Sequence, residues 1–129
     1  MNILFVDDDA LNRRVVKDML ETAGVVMDEA PEAATGLRML EERSFDLVLM
    51  DLRMPGMDGL EAIRALRGRP GSEGSVPVIL VTADTSLDLE EKSRAAGANS
   101  VLRKPVMMTA LFDAVAAVIT EGPGSQSLD

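Results

Sequence analysis

The chain has 129 residues, contains neither cysteine nor histidine, and carries a formal net charge of −9. This length fits a single domain with an ordinary hydrophobic core. The missing residue types exclude disulfides, thiolate nucleophiles, imidazole bases and the usual zinc sites. The negative charge and the absence of Trp and Tyr argue against direct binding to nucleic acid or anionic lipid.

Membrane and export signals are also missing from the sequence. No apolar run is long enough to span a bilayer. The first residues lack the basic region and long apolar stretch of a secretory signal. We therefore expect a cytoplasmic protein without membrane association.

Short apolar runs alternate with helical repeats five times along the chain. The predicted strands are residues 3–6, 25–30, 47–50, 76–81 and 100–102. Four of the helices have apolar residues at helical spacing: Leu11, Val15, Val16, Met19 and Leu20 in the first; Ala34, Leu37 and Leu40 in the second; Leu60, Ile63 and Leu66 in the third; and Leu111, Val115 and Val118 in the last. This alternation predicts an α/β doubly wound fold, a five-stranded parallel sheet flanked by five helices.

Some residues predict where the first two helices begin and end. Asp9 is expected to cap the first helix, and Gly24 suits the left-handed position just past its end. Pro31 suits the first turn of the second helix.

The fourth helix has weaker signals than the others. Thr85 with Asp88 three residues later resembles a capping box, and Gly97 marks the expected end. Because this helix has little apolar face, we expect it to be the least firmly anchored. The preceding segment, residues 68–75, is rich in Gly and Ser and is predicted to be an exposed connection.

Polar side chains follow the predicted strands at their carboxyl ends. Asp7, Asp8, Asp51, Thr82 and Lys104 should share one edge of the sheet, because parallel strands bring those ends together. Carboxylates about 4 Å apart repel by roughly 4 kcal/mol at an effective dielectric near 20. A divalent cation such as magnesium would offset that repulsion, and the ammonium and hydroxyl groups would serve as donors to phosphoryl oxygens.

Four motifs, taken in this order, resemble the receiver domain of two-component response regulators. They are Val6-Asp7-Asp8, the run Met-Asp-Leu-Arg-Met-Pro-Gly-Met-Asp-Gly at residues 50–59, Val81-Thr82-Ala83, and Lys104-Pro105. The resemblance implies the strand order 2-1-3-4-5. It also implies a receiver domain over residues 1–120. Residues 121–129 contain a Gly-Pro-Gly-Ser run and are expected to form a flexible C-terminal tail or linker.

The resemblance implies that Asp51 is the phosphoacceptor. The donor would be a phosphohistidine on a sensor histidine kinase or a histidine phosphotransfer protein, which agrees with the absence of histidine here. Magnesium, with manganese as an alternative, would be bound by the side chains of Asp8 and Asp51, by the Arg53 carbonyl, and by Asp7 through water.

The same resemblance assigns the groups around the phosphoryl oxygens. Thr82, Ala83 and Lys104 would bind the phosphoryl group and switch with it, and the bond before Pro105 would be cis. The chain would not be an enzyme in its own right, although it would assist its own phosphorylation and dephosphorylation. It would act as a monomer or weak dimer on a downstream protein whose identity the sequence does not reveal.

Two features concern how the site is tuned and how its signal is passed on. Val101 occupies the strand position where many receivers carry Tyr or Phe, and valine has no ring that could rotate to pass on the signal. Arg53 and Asp84 flank the site and could pair across its mouth. We hypothesise that this pair tunes the loss of the phosphoryl group, and an unchanged dephosphorylation rate after replacing either residue would remove the hypothesis.

Three alternative functions remain open from the sequence. The chain could be a receiver segment of a larger protein such as a hybrid histidine kinase. It could also be a receiver-like interaction module with weak or lost switching. The remaining alternative is a magnesium-dependent phosphatase of the haloacid dehalogenase type with an Asp7 nucleophile, although Leu11 and residues 106–108 depart from its motifs.

Overall fold

The computed structural model describes residues 1–121. Within these residues, five strands alternate with five α-helices, as predicted. The strands are β1 (Asn2–Val6), β2 (Val26–Ala30), β3 (Leu47–Asp51), β4 (Val78–Thr82) and β5 (Ser100–Arg103). The helices are α1 (Ala10–Glu21), α2 (Ala33–Glu42), α3 (Gly59–Arg67), α4 (Leu89–Ala96) and α5 (Met108–Glu121), with a 3₁₀ turn at Ser72–Ser75.

All strand pairs are parallel, in the order β2-β1-β3-β4-β5. The predicted fold class and strand order are therefore confirmed. One core lies between the sheet and helices α2, α3 and α4, and a second lies between the sheet and helices α1 and α5. β3 is buried along its whole length because helices cover both of its faces.

The strand register determines which residues meet at the carboxyl edge of the sheet. The pairs nearest that edge are Val6 with Met50, Asp51 with Val81, and Thr82 with Arg103. Asp7, the first residue after β1, is therefore level with Asp51. Lys104 directly follows β5, at the same edge.

The apolar face predicted for α1 is only partly correct. Val16 and Leu20 are buried, whereas Leu11 is 71% exposed and Val15 is 40% exposed. At 100° per residue, Leu11 lies about 140° round the helix from Val16 and so points away from the sheet. Asp9 caps α1 as predicted, because its side chain accepts hydrogen bonds from the backbone N–H groups of Leu11 and Asn12.

Helix α2 begins later than predicted. Glu32 is extended, with φ −155° and ψ 163°, so Pro31 lies before the helix and not in its first turn. Ala34 is exposed, and Ala33 is the buried residue. These neighbours lie about 100° apart round the helix, and only one of them can face the core. Leu37 and Leu40 are buried as predicted.

The capping box predicted at Thr85 and Asp88 is not formed. Helix α4 begins at Leu89, and its N-cap, Asp88, makes no side-chain capping hydrogen bond. The preceding Asp84 carboxylate accepts hydrogen bonds from the N–H and the hydroxyl of Ser86 at 2.7 and 2.5 Å. This turn competes with helix formation and delays the start of α4.

The other predictions for chain connections have mixed outcomes. Gly97 ends α4 in the left-handed region, with φ 114°, as predicted. Gly24 also has a positive φ, 75°, but it lies two residues beyond the C-cap, Thr22. Residues 68–75 are not an entirely exposed connection, since they contain the 3₁₀ turn and Gly74 is buried.

Within residues 1–121, no helix combines the length and apolar character needed to cross a bilayer. Glu121 is the last residue of α5. The rest of the tail predicted at residues 121–129 lies outside the described residues.

Candidate functional site

Asp51 lies at the centre of the carboxyl edge, as the last residue of the central strand β3. Its side chain is almost fully buried, and one carboxylate oxygen, Oδ1, lies 2.8 Å from Lys104 Nζ. Burial raises the pKa of Asp51 to about 6, assisted by repulsion from Asp7 and Asp8 and opposed by the Lys104 ammonium. Asp51 is therefore mostly ionised at neutral pH, and its buried charge lowers the stability of the folded chain.

Asp7 is fully buried, and the chain itself provides donors to both of its carboxylate oxygens. Oδ1 accepts a hydrogen bond from the backbone N–H of Asp9 at 2.9 Å. Oδ2 accepts one from the Asn12 side-chain amide at 2.7 Å and lies 3.5 Å from Lys104 Nζ. The orientation of this carboxylate is therefore set before any ligand arrives.

Asp7, Asp8 and Asp51 form a cluster with the donor atoms of a cation site. One oxygen from each lies within 4.8 Å of the others. Asp8 is exposed, whereas the other two are buried. Carboxylate oxygens are hard ligands, and three of them on a partly open rim suit an ion that keeps several water ligands. The residues present therefore fit magnesium.

The loop after β3 holds Asp51 against the start of α3. Asp58 and Glu61 form a capping box at that start, with both hydrogen bonds present. Gly59 lies so close to β3 that an added Cβ would be 2.3 Å from the Asp51 carbonyl oxygen. Only glycine fits there, so Gly59 keeps the helix close to the site.

Lys104 connects the end of β5 to the acidic cluster. Burial alone would lower the pKa of its ammonium group, but the Asp51 and Asp7 carboxylates raise it overall. Its peptide bond to Pro105 is cis, as the resemblance implies. A permanently charged ammonium beside Asp51 would attract the oxygens of an incoming phosphoryl group.

The remaining predicted site residues surround the mouth of the cavity. A cavity of about 510 Å³ is lined by Asp7, Asp8, Asp9, Asp51, Arg53, Thr82, Ala83, Asp84 and Lys104. The Thr82 side chain is buried, and Ala83 is exposed. Arg53 and Asp84 form an ion pair at 2.9 Å. The structure thus places every predicted phosphoryl-binding and flanking residue at one opening.

Val101 lies away from the cavity, half-buried in β5. Its side chain packs against the core between the sheet and helices α2, α3 and α4. An aliphatic side chain there fills space but has no ring to reorient.

Two residues of the site escaped the sequence-based prediction. The side-chain amide of Asn12 donates a hydrogen bond to Asp7. Asn12 lies on the same side of α1 as the buried Val16 and Leu20, because the three residues are spaced four apart. That spacing would have placed its amide on the sheet side of the helix. Arg103 donates a hydrogen bond to the Asp84 carbonyl oxygen, and no local pattern in the sequence indicates this contact.

Sequence comparison identifies the family. The model of the response regulator receiver domain matches residues 3–116. Sensor histidine kinase AruS of Pseudomonas aeruginosa is 36% identical over 124 residues, which are 95% of this chain and 12% of that protein. The aerobic respiration control sensor protein ArcB of Escherichia coli K12 is 36% identical over 111 residues, covering 86% of this chain and 14% of ArcB. The chain thus spans only a small part of these curated relatives.

Solved structures agree with this assignment. Chemotaxis protein CheY4 of Vibrio cholerae has a TM-score of 0.84 and 29% identity, covering 91% of this chain and 97% of that one. The receiver domain of a Pseudomonas aeruginosa PAO1 sensor histidine kinase has a TM-score of 0.83 and 30% identity, covering 92% and 97%. That structure has a magnesium ion coordinated in its active-site cleft. This chain therefore belongs to the family of response regulator receiver domains.

Proposed function

We propose that this chain is a phosphoacceptor that takes a phosphoryl group from a phosphohistidine of a partner protein onto Asp51. The observation that carries the proposal is the position of Asp51, a buried carboxylate with Lys104 at 2.8 Å and two further acids beside it. The partner is a sensor histidine kinase or a histidine phosphotransfer protein. The phosphorylated chain then changes its contacts with a downstream protein.

The transfer needs no proton or electron from elsewhere in the chain. A carboxylate oxygen of Asp51 forms the new bond to phosphorus while the bond from phosphorus to the imidazole nitrogen breaks. The electron pair of the broken bond stays on the imidazole. Lys104 and the hydroxyl of Thr82 stabilise the phosphoryl oxygens, because such transfers depend on positioning and charge neutralisation.

We propose magnesium as the resident metal, with manganese as an alternative. The side chains of Asp8 and Asp51 and the carbonyl of Arg53 would hold it directly, and Asp7 would reach it through water. Bound metal would supply charge neutralisation for the phosphoryl oxygens. The hydrogen bonds of Asp7 to the chain's own donors support an indirect role, since both of its oxygens are already engaged.

A second candidate function has the same chemistry but places this chain within a larger protein. The curated relatives AruS and ArcB are sensor proteins, and this chain matches 12% and 14% of their lengths. The chain would then serve as the receiver segment of a hybrid histidine kinase. Transfer rates from purified phosphorylated kinases and from phosphotransfer proteins would distinguish the two settings, because the cognate donor transfers fastest.

The proposal is tested by incubating the chain with magnesium and acetyl phosphate and measuring its intact mass. We expect a gain of one phosphoryl group that does not appear when EDTA is added first. Borohydride reduction followed by trypsin then locates the adduct. The tryptic peptide spanning residues 44–53 contains two aspartates, Asp46 and Asp51, which fragmentation separates.

Two outcomes would overturn the proposal. One is the absence of any adduct at saturating donor and metal while the chain is folded. The other is an adduct on Asp46 or in a different peptide. An adduct on Asp7 with turnover of phosphate monoesters would instead support the phosphatase alternative.

Replacing Asn12 with Ala is expected to weaken magnesium binding about tenfold, because partners that orient metal-binding carboxylates typically have effects of this size. The change removes the 2.7 Å hydrogen bond to Asp7 and leaves that oxygen to Lys104. Isothermal titration calorimetry with magnesium alone measures the affinity. Arg14→Ala, a change at an exposed position on the same helix, is the matched control. Equal affinities of the two variants would contradict the role of Asn12.

A further inference from the structure

Asp84 connects the loop between β4 and α4 to the residues around it. Its backbone N–H donates a hydrogen bond to Thr82 Oγ1 at 2.9 Å. Its carboxylate pairs with Arg53 at 2.9 Å and accepts hydrogen bonds from Ser86. Its carbonyl oxygen accepts a hydrogen bond from Arg103. Each polar group of Asp84 therefore has a partner, and one of these partners is the Thr82 hydroxyl.

Arg103 connects this loop to both β5 and α4. It is the last residue of β5, where it pairs in register with Thr82. One guanidinium nitrogen bonds to the Asp84 carbonyl, and another lies 3.8 Å from the carboxylate of Glu90 in the first turn of α4. The planar guanidinium group reaches both acceptors at once, which a lysine ammonium does less well.

The next residue along the chain, Lys104, faces a different target. It contacts the Asp51 carboxylate, whereas Arg103 contacts the loop. Successive residues at a strand end point in opposite directions. The end of β5 thus carries two cations, one on the phosphoacceptor and one on the loop that carries the neighbouring hydroxyl.

We propose that Arg103 is a positioning residue. It keeps the Thr82 hydroxyl in the position that it has before Asp51 is phosphorylated, and it links movement of Thr82 to α4. This inference rests on the proposed phosphorylation of Asp51. If Thr82 moves toward a phosphoryl group, its bond to the Asp84 N–H must lengthen. The Asp84 peptide then shifts against Arg103 and, through Glu90, against α4. This route uses polar contacts and needs no aromatic ring at Val101.

The inference is tested first without metal or phosphoryl donor, by amide hydrogen exchange of the full chain followed by NMR. In Arg103→Ala, the Asp84 amide is expected to exchange about three- to tenfold faster, the range that corresponds to losing one hydrogen bond in a loop. In Arg103→Lys, the exchange rate of the Asp84 amide should lie between the rates in Arg103→Ala and in the wild type. The matched control is Arg94→Ala, which removes an exposed arginine from the last turn of α4 and should leave this amide unchanged.

The second measurement uses the chain after treatment with magnesium and acetyl phosphate. In the wild type, phosphorylation should change the exchange of amides in the first turn of α4. That change should be lost in Arg103→Ala although the adduct still forms on Asp51. Failure of the wild type to form an adduct would refute the proposed function, while the measurement on the untreated chain would still test Arg103.

Two results would overturn the role of Arg103. One is an Asp84 amide that exchanges at the same rate in Arg103→Ala and in Arg94→Ala. The other is an increase spread equally over the sheet, including β3, since that pattern would mean that Arg103 only stabilises the fold.

Discussion

Asp51→Asn is expected to eliminate the phosphoryl adduct completely. The amide that replaces the carboxylate is neutral and is a poor nucleophile for phosphorus, while its size and position at the end of β3 stay nearly the same. Intact mass after treatment with magnesium and acetyl phosphate provides the measurement. Asp113→Asn, at an exposed position on α5, is the matched control and should retain the adduct.

The same variant should be more stable than the wild type when magnesium is absent. Burial, together with repulsion from Asp7 and Asp8, raises the pKa of Asp51 to about 6 in the folded chain, compared with 3.8 when it is unperturbed. Ionised Asp51 therefore costs about 3 kcal/mol at neutral pH. Because this pKa already includes the attraction to Lys104, and because Asn resembles the protonated acid, we expect a gain of about 3 kcal/mol in the free energy of unfolding at pH 7.

The sign of the pH dependence follows from the same shift. Between pH 4 and pH 6 the folded chain holds more protons at Asp51 than the unfolded chain does. The contribution of Asp51 to stability is therefore fully favourable below about pH 4 and is lost as the pH rises through about 6. Urea unfolding followed by circular dichroism should show the wild type and Asp51→Asn diverging across this range. Parallel pH profiles, or an adduct that persists in the variant, would contradict the assignment of Asp51.

Lys104→Met is expected to slow phosphoryl transfer by about a hundredfold, the typical effect of removing one donor from a developing oxyanion. The methionine keeps most of the length of the side chain but removes the ammonium that lies 2.8 Å from Asp51 and 3.5 Å from Asp7. The adduct should still map to Asp51, because the acceptor itself is unchanged. The rate of adduct formation at fixed acetyl phosphate measures the effect.

Loss of this ammonium should also destabilise the metal-free fold. Among residues 1–121, it leaves the buried Asp7 and Asp51 carboxylates without a cationic partner, which we expect to cost about 2 kcal/mol, since Lys104 is partly exposed. Magnesium should restore part of the loss by neutralising the same acids. Lys92→Met, which removes an exposed lysine paired with Asp88, is the control and should change neither quantity. Transfer at the wild-type rate in Lys104→Met would contradict the role of Lys104.

The positions of the site residues along the chain were largely predictable. Each acid or donor directly follows an apolar run, and the parallel order of the strands brings their ends together. The cap at Asp9 and the left-handed Gly97 were also predictable, because each depends on a single turn of backbone.

Helix boundaries and faces were less predictable where two local signals compete. Thr85 and Asp88 resemble a capping box, but the Asp84 carboxylate accepts a hydrogen bond from Ser86, and α4 begins only at Leu89. Leu11 is apolar and lies at helical spacing, but the sheet contacts the side of α1 that carries Val16. In the first case one local hydrogen-bonded turn forms in place of another, and in the second the orientation of α1 against the sheet decides which side is buried.

The sequence by itself determined the alternation of strands and helices and the acids at the strand ends, because these depend on residue type and spacing along the chain. It also showed that the chain has no histidine of its own that could donate a phosphoryl group. Only the tertiary structure decided that Asn12 holds Asp7 and that Arg103 and Arg53 both hold Asp84. Two of these contacts join residues 19 and 31 positions apart, and the third requires a particular side of α1 to face the sheet. Side-chain rotamers and the relative orientation of distant segments set such contacts, and spacing along the chain indicates at most which side of α1 faces the sheet.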